Sequence, residues 1–280
     1  MNSGMKSATR GWRGMAASVP GNGHLRRELP CQDASAYIDF GHPALIALDG
    51  RGSSLLSQEG STEGVALLKS VISIIDPWLG LVLDRCEPSK SAVRQLGEIV
   101  HRTLVRAKKN CVCNHNGDVN VEAFDFTAAI AIVGRRNVAC FQVGDGAIVV
   151  SERGKTRTVF VPDKGDAANT TQFVRERDDG FRMEVLSADG IDGVAVMTDG
   201  IEHRVLDLRT LSPGAVFEVF FEEMRSGAFL RSELLSFLTD TDWWARGDDA
   251  RDDDDRTLVI AVPVTENPQE TDSQSVNLKV

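Results

Sequence analysis

Three things are scarce in this 280-residue sequence, and each scarcity narrows what it can be. Positive charge is outweighed: 31 Lys and Arg against 41 Asp and Glu give a formal net charge of -10. A nucleic-acid surface is therefore not expected, because that affinity comes from clustered cations. Cysteine is sparse, odd in number and unevenly spaced, at Cys31, Cys86, Cys111, Cys113 and Cys140. No disulfide framework fits that pattern, and reduced thiols are the expectation. His101, Cys111, Cys113 and His115 cluster locally, but Cys-x-Cys-x-His lacks the Cys-x2-Cys knuckle and a second downstream pair, so structural zinc is not expected. Long apolar runs are also missing. No apolar stretch reaches the roughly 18 residues of a membrane helix, and Met1 to Arg13 lacks the apolar segment of a secretory signal. The expectation is a cytoplasmic protein with no membrane partner.

What is present is an ordinary globular composition, 42% hydrophobic and 26% charged, with no internal repeat. Its most informative stretch is Ala44-Leu-Ile-Ala-Leu-Asp49-Gly50-Arg51-Gly52, an apolar run that stops at Asp-Gly. Val194-Ala-Val-Met-Thr-Asp199-Gly200 repeats the design, and Val138-Ala-Cys-Phe-Gln-Val-Gly-Asp145-Gly146 repeats it with an added glycine. Such runs read as buried strands that deliver a carboxylate to a sheet edge. Two structural alternatives stand beside that reading. Asp145-Gly146 also suits a hairpin turn into Ala147 to Val150, and Asp49 and Asp199 also suit helix N-caps.

Along the chain, Trp12 to Val19 reads as a strand, and Pro20 to Pro30 as a loop carrying His24, Arg26 and Arg27. Cys31 to Phe40 is a strand paired by a hairpin with the Asp49 strand, which puts Asp33 and Asp49 at one end of the pair. Helices are expected over Gln58 to Pro77, stopped by the proline, and over Ser89 to Asn110. Strands over Phe126 to Val133, Val138 to Val143, Ala147 to Val150 and Thr156 to Val161 read as an antiparallel meander. Pro162 to Gly180 reads as a polar excursion near the site. Strands follow at Phe181 to Leu186 and Val194 to Met197, with Asp189-Gly190 and Asp192-Gly193 as turns, and helices at Pro213 to Arg225 and Ser232 to Thr239. The acidic run Asp248 to Asp255 opens into a strand over Arg256 to Val262, and Thr265 to Val280 reads as a polar tail.

If the carboxylate-bearing strand ends meet, Asp33, Asp49, Asp199 and one of Asp254 or Asp255 converge. Packed carboxylates repel unless cations neutralise them. Oxygen-only ligation suits magnesium or manganese rather than zinc.

The order Gln32-Asp33-Ala, Asp49-Gly50-Arg-Gly52, Phe126-Thr127-Ala, Val143-Gly-Asp145-Gly146, Thr198-Asp199-Gly200 and Asp254-Asp255-Arg-Thr-Leu-Val resembles the metal-dependent protein phosphatase family, type 2C, particularly its bacterial branch. The resemblance spans about Trp12 to Val264. It implies an α+β fold, a four-layer α-β-β-α sandwich of two antiparallel sheets with helices on the outer faces. It also implies a domain over 12–264, an N-terminal extension over 1–11 and a tail over 265–280. By resemblance Asp49 bridges two Mn2+ or Mg2+ ions, the Gly50 carbonyl joins one of them, and Asp199 and Asp254 complete the other. Asp33 and Gln32 hold waters on the ions, and Asp145 helps bind a third. The implied activity is hydrolysis of phosphoserine and phosphothreonine in proteins by a metal-activated water, in signalling opposite a Ser/Thr kinase.

The sequence departs from the family pattern in four places. Gln32 stands where Glu is frequent, Arg51 where His is common, Ser53 where a glycine is usual, and Glu28 where the phosphate-binding arginine belongs. Arg51, Arg26 or Arg27, with His24 nearby, are the candidates to bind phosphate instead. A non-catalytic regulatory or binding module is the competing reading. A metal-dependent nuclease is disfavoured by the acidic charge.

Overall fold

Ala44-Leu-Ile-Ala-Leu and Phe126-Thr-Ala-Ala-Ile-Ala-Ile-Val are apolar at nearly every position, as strands covered on both faces must be, because successive side chains point to opposite sides. The computed structural model places them so, and it describes residues 10–160, 171–177, 180–240, 244 and 254–265. The elements open with β1 (Arg10–Val19), α1 (Asn22–Arg27), β2 (Ala34–Ile38), β3 (Ala44–Gly50), α2 (Ser57–Leu83) and α3 (Lys90–Asn114). Next come β4 (Phe126–Val133), β5 (Asn137–Val143), β6 (Ala147–Glu152), β7 (Lys155–Thr158), β8 (Arg182–Ser187) and β9 (Ile191–Met197). The chain continues through α4 (Glu202–Val205), β10 (Leu206–Asp207), β11 (Ser212–Pro213), α5 (Val216–Ser226), α6 (Arg231–Thr239) and β12 (Arg256–Thr265).

Two five-stranded antiparallel sheets result, ordered β1-β12-β9-β6-β7 and β2-β3-β4-β5-β8, with β10 and β11 as a small ribbon. Alternation sorts their side chains into three apolar layers. Leu45, Ala47, Ala129, Ala131, Val194 and Val259 pack between the sheets. Ile46, Leu48, Ile130 and Ile132 face Leu68, Ile72, Leu96 and Leu104 of α2 and α3. Ala195, Met197, Leu258 and Ile260 face Phe217, Phe221, Leu234 and Leu238 of α5 and α6. This is the expected four-layer sandwich. Each fully buried Leu, Ile or Phe contributes about 1.5–3 kcal/mol of transfer free energy.

Several local expectations change. β5 and β6 do not continue one meander: β5 pairs with β4 and β8, β6 pairs with β9 and β7, and Gly144-Asp145-Gly146 carries the chain from one sheet to the other. Pro77 lies inside α2 and does not end it. Burial of Leu79, Val82 and Leu83 beyond the proline outweighs the one backbone bond it removes. The resulting 27-residue helix is, by length and composition alone, apolar enough to cross a membrane, contrary to the expectation that no stretch reaches that length. Here its inner face packs on β2 to β5.

The expected loop over 20–30 contains α1, a helix of six residues ended by Glu28 in a left-handed conformation at φ 55. Asp192 and Gly193 are strand residues of β9 rather than a turn, and Gly193 leaves room for the Phe221 ring. β7 ends at Thr158, short of Val161. The first strand begins at Arg10 and the last ends at Thr265, slightly outside 12–264. The tail beyond 265, residues 162–170 and 178–179 of the polar excursion and residues 248–253 of the acidic run lie outside the described residues.

Candidate active site

The strand registers bring the carboxylates to one end of the sandwich. Ala34 opposes Leu48, so Asp33 entering β2 lies beside Asp49 leaving β3. In the other sheet Met197 opposes both Leu258 and Ala147, so Asp199 beyond β9 meets Asp254 before β12 and Asp145 before β6. Hydrogen bonds lock the two sheet ends together: Thr198 Oγ1 and Thr257 Oγ1 each lie 2.8 Å from Asp33 Oδ2 and donate to it.

Asp49, Asp145 and Asp199 each present a carboxylate oxygen within 4.8 Å of the others. Burial, and then the charges of Asp33, Asp199, Asp254 and Asp145, push the Asp49 carboxyl well above the usual carboxylate range. Asp33 is raised by burial and by Asp255, against the lowering effect of its two hydroxyl donors. Asp199 is pushed up to about 7, by burial first and then by Asp145 and Asp254. Asp254 is raised by burial and by Asp255. Asp33 Oδ1 and Asp199 Oδ1 are buried without a hydrogen-bond partner. Unpartnered buried oxygens among mutually repelling carboxylates are costly unless something neutralises them. A hard divalent cation fits this all-oxygen donor set.

Glycines permit the close approach. Gly144, at φ +88, sits where a Cβ would lie 2.6 Å from Thr127, and a Cβ on Gly146 would lie 2.6 Å from the Met197 carbonyl. The Gln142 side chain donates to the Gly146 carbonyl and braces the crossover. The hairpin reading of Asp145-Gly146 is thereby replaced. Asp145 is exposed, and its Oδ2 accepts from Thr171 Oγ1 at 2.7 Å. Gly50 is buried, and its N–H donates to the Gln32 carbonyl.

The neighbours Asp254 and Asp255 divide their work. Asp255 is buried, accepts from the backbone N–H of Gly21 and Gln32 at 2.8 and 2.5 Å, and lies 2.8 Å from His24 Nδ1. It is the clamp that ties α1 and the start of β2 to β12. Asp254 is the one whose charge acts on Asp49 and Asp199. His24 is accordingly buried against Asp255 rather than presented toward a phosphate. Arg26 and Arg27 are exposed on α1, where Arg27 Nε donates to the Gly23 carbonyl. Gln32 is buried, its Nε2 donates to the Ser54 carbonyl at 2.6 Å, and its Oε1 has no protein donor. Arg51 lies 3.6 Å from Asp125 and donates to Ser53 Oγ.

Glu202 escaped the sequence reading. Burial and the nearby charges of Asp199 and Asp145 raise its carboxyl well above the usual range. The signal available was its position in the first turn after Asp199-Gly200, where a helical start folds it back toward the strand end.

The profile of Protein phosphatase 2C matches residues 20–239. Serine/threonine-protein phosphatase 3 of Escherichia coli (strain K12) is 27% identical over 263 residues, covering 90% of this chain and 98% of that protein. The crystal structure of the catalytic domain of the serine threonine protein phosphatase PstP, in complex with 2 manganese ions, aligns at a TM-score of 0.62 with 16% identity, over 91% of this chain and 100% of that one. The serine/threonine phosphatase Stp1 from Staphylococcus aureus aligns at 0.56 with 14% identity, over 89% of this chain and 94% of that one. At such identities the two structures show the shared fold alone.

Proposed function

The chain belongs to the Protein phosphatase 2C family, and on that premise we propose that it is a metal-dependent phosphoprotein phosphatase acting on phosphoserine and phosphothreonine. The observation that carries the proposal is the convergence of Asp49, Asp145 and Asp199 within 4.8 Å, with partnerless buried oxygens on Asp33 and Asp199. In this reading Asp49, the Gly50 carbonyl, Asp199 and Asp254 hold two divalent cations, manganese or magnesium, and Asp145 serves a third. Such ions supply Lewis acidity toward phosphoryl oxygens and toward a water nucleophile.

The chain's own groups do the rest. Thr198 and Thr257 fix one oxygen of Asp33, leaving the buried Oδ1 to accept a hydrogen bond from, and so orient, a water in the site. Gln32 Oε1 is a second such acceptor. In this reading Arg51, two residues beyond Asp49 and about 42% exposed at its side chain, binds phosphoryl oxygens as a forked donor. Arg51 stays charged, so it does not supply the leaving-group proton. The balance is simple: the water oxygen bonds to phosphorus, the ester P–O bond breaks, and the water proton ends on the Ser or Thr hydroxyl.

The substrate is a protein that a Ser/Thr kinase has phosphorylated, and the catalytic unit runs from β1 to β12. A cytoplasmic setting is part of the proposal, supported by five free thiols. The test is hydrolysis of p-nitrophenyl phosphate and of a phosphothreonine peptide with Mn2+, with Mg2+ and with chelator. Metal-dependent turnover is expected, reduced at least about a hundredfold in Asp49→Ala and Asp199→Ala. Near-full activity in either variant at saturating metal would mean that the site is elsewhere. A folded protein with no turnover would instead point to the regulatory module.

A further inference from the structure

Beside the carboxylate site stands a second charge cluster of opposite sign. At its centre is Asp125, just before β4, with a side chain that is 0% exposed. Lys108 of α3, itself 4% exposed, reaches it at 2.6 Å and also donates to the Val174 carbonyl. That pair alone neutralises the buried carboxylate. Yet Arg175 also binds Asp125 in forked fashion through both terminal nitrogens, and Arg51 approaches at 3.6 Å. Both guanidiniums lie over the ring of Phe173, at 5.6 Å for Arg51 and 5.7 Å for Arg175. Their side chains remain 42% and 40% exposed.

Among the described residues three cations gather on Asp125 with Glu122 close enough to act on Lys108, which leaves positive charge in excess at a half-open surface. Holding like charges together is unfavourable unless an anion joins them. The cluster also adjoins the reacting end. Arg51 follows Asp49 by two residues, and the segment carrying Phe173 and Arg175 begins at Thr171, whose hydroxyl binds Asp145. The Arg175 carbonyl is held by His101 Nε2 at 2.9 Å, and Val174 N–H donates to Phe126, so the segment is fixed against α3 and β4.

Resting on the phosphatase reading, we propose that Arg175, stacked on Phe173 and oriented by Asp125, is a specificity-determining residue. It binds the carboxylate of an Asp or Glu flanking the phosphorylated residue, while Arg51 faces the phosphate. The substrate class is thereby acidic phosphopeptides. With both terminal nitrogens on Asp125 and Nη1 also on the Val174 carbonyl, the Nε–H and the second Nη2 hydrogen are left to take a carboxylate, and half exposure limits the gain to about five- to tenfold in affinity.

The experiment compares kcat/KM, with Mn2+ present, on phosphothreonine peptides that differ only in carrying Glu or Ala beside the phosphoresidue. The native protein is expected to favour the Glu peptides about five- to tenfold, less at high salt. Arg175→Ala should reduce that ratio to below about twofold and Arg175→Lys should restore part of it, with p-nitrophenyl phosphate turnover unchanged and Tm lowered only by the lost ion pair to Asp125. A purely structural Arg175 would lower all substrates together. That result, a preference retained in Arg175→Ala, or no preference in the native protein would overturn the proposal. If folded native protein fails to turn over p-nitrophenyl phosphate, the phosphatase reading fails separately. Fluorescence anisotropy of the same labelled peptides then decides the subsite: tighter Glu-peptide binding that vanishes in Arg175→Ala sustains it, and equal binding ends it.

Discussion

Asp254 and Asp255 are adjacent, chemically identical and both partly or fully withdrawn from water, yet their partners give them opposite roles. Asp255 accepts two backbone N–H groups and lies against His24, so Asp255→Asn removes a buried charge-assisted clamp. Breaking such a cluster costs about 3–5 kcal/mol. We expect Tm to fall by roughly 6–20 °C in thermal unfolding. Asp254→Asn should do the reverse, abolishing metal-dependent turnover with Tm held or raised in chelator, because it removes repulsion from Asp49 and Asp199. Equal effects of the two substitutions would contradict this division. The sequence left both aspartates open as ligands. The resemblance chose Asp254, and the two backbone donors on Asp255 leave Asp254 the less engaged of the pair.

The element that matters most for assembling the site is the crossover at Gly144-Asp145-Gly146. It joins β5 of one sheet to β6 of the other, so its geometry sets where Asp145 stands relative to Asp49. Gly144→Ala places a methyl group 2.6 Å from the Thr127 side chain at a φ of +88. We expect a loss of about 1–3 kcal/mol in chemical denaturation and, with Asp145 displaced, a higher Mn2+ requirement for turnover. Wild-type activity at limiting Mn2+ would show that Asp145 does not need this position. Sequence patterning gave these strands almost residue by residue, because a period of two is a local property. Patterning could not say that β5 and β6 part company, since an Asp-Gly between apolar runs reads alike as a hairpin or a crossover. Pro77 is a similar case: the local rule stops α2, and burial beyond the proline keeps it going.

At the scale of the molecule, net charge and the buried carboxylates couple stability to pH and metal. Asp33, Asp49, Asp199 and Glu202 have carboxyls raised in the folded state, Asp199 to about 7. Between the usual carboxylate range and about pH 7 the folded protein holds protons that the unfolded chain releases, so stability from these groups is lost as pH rises. We expect the Tm of chelated protein to drop from pH 5 to pH 7, and Mn2+ at pH 7.5 to recover it, rising with the logarithm of free metal. A Tm that rises over that window without metal would contradict the cluster's role. From the sequence alone came the acidic balance, most of the long strands and helices, and Asp33, Asp49, Asp145 and Asp199 as candidates, because strand ends and Asp-Gly turns are written in consecutive residues. Tertiary structure alone decided that His24 pairs with Asp255, that Glu202 joins the acidic cluster, and that Asp125 gathers Lys108, Arg175 and Arg51. Those contacts join residues far apart in the chain or depend on how a turn is folded back, and no local period or spacing encodes which buried charge meets which.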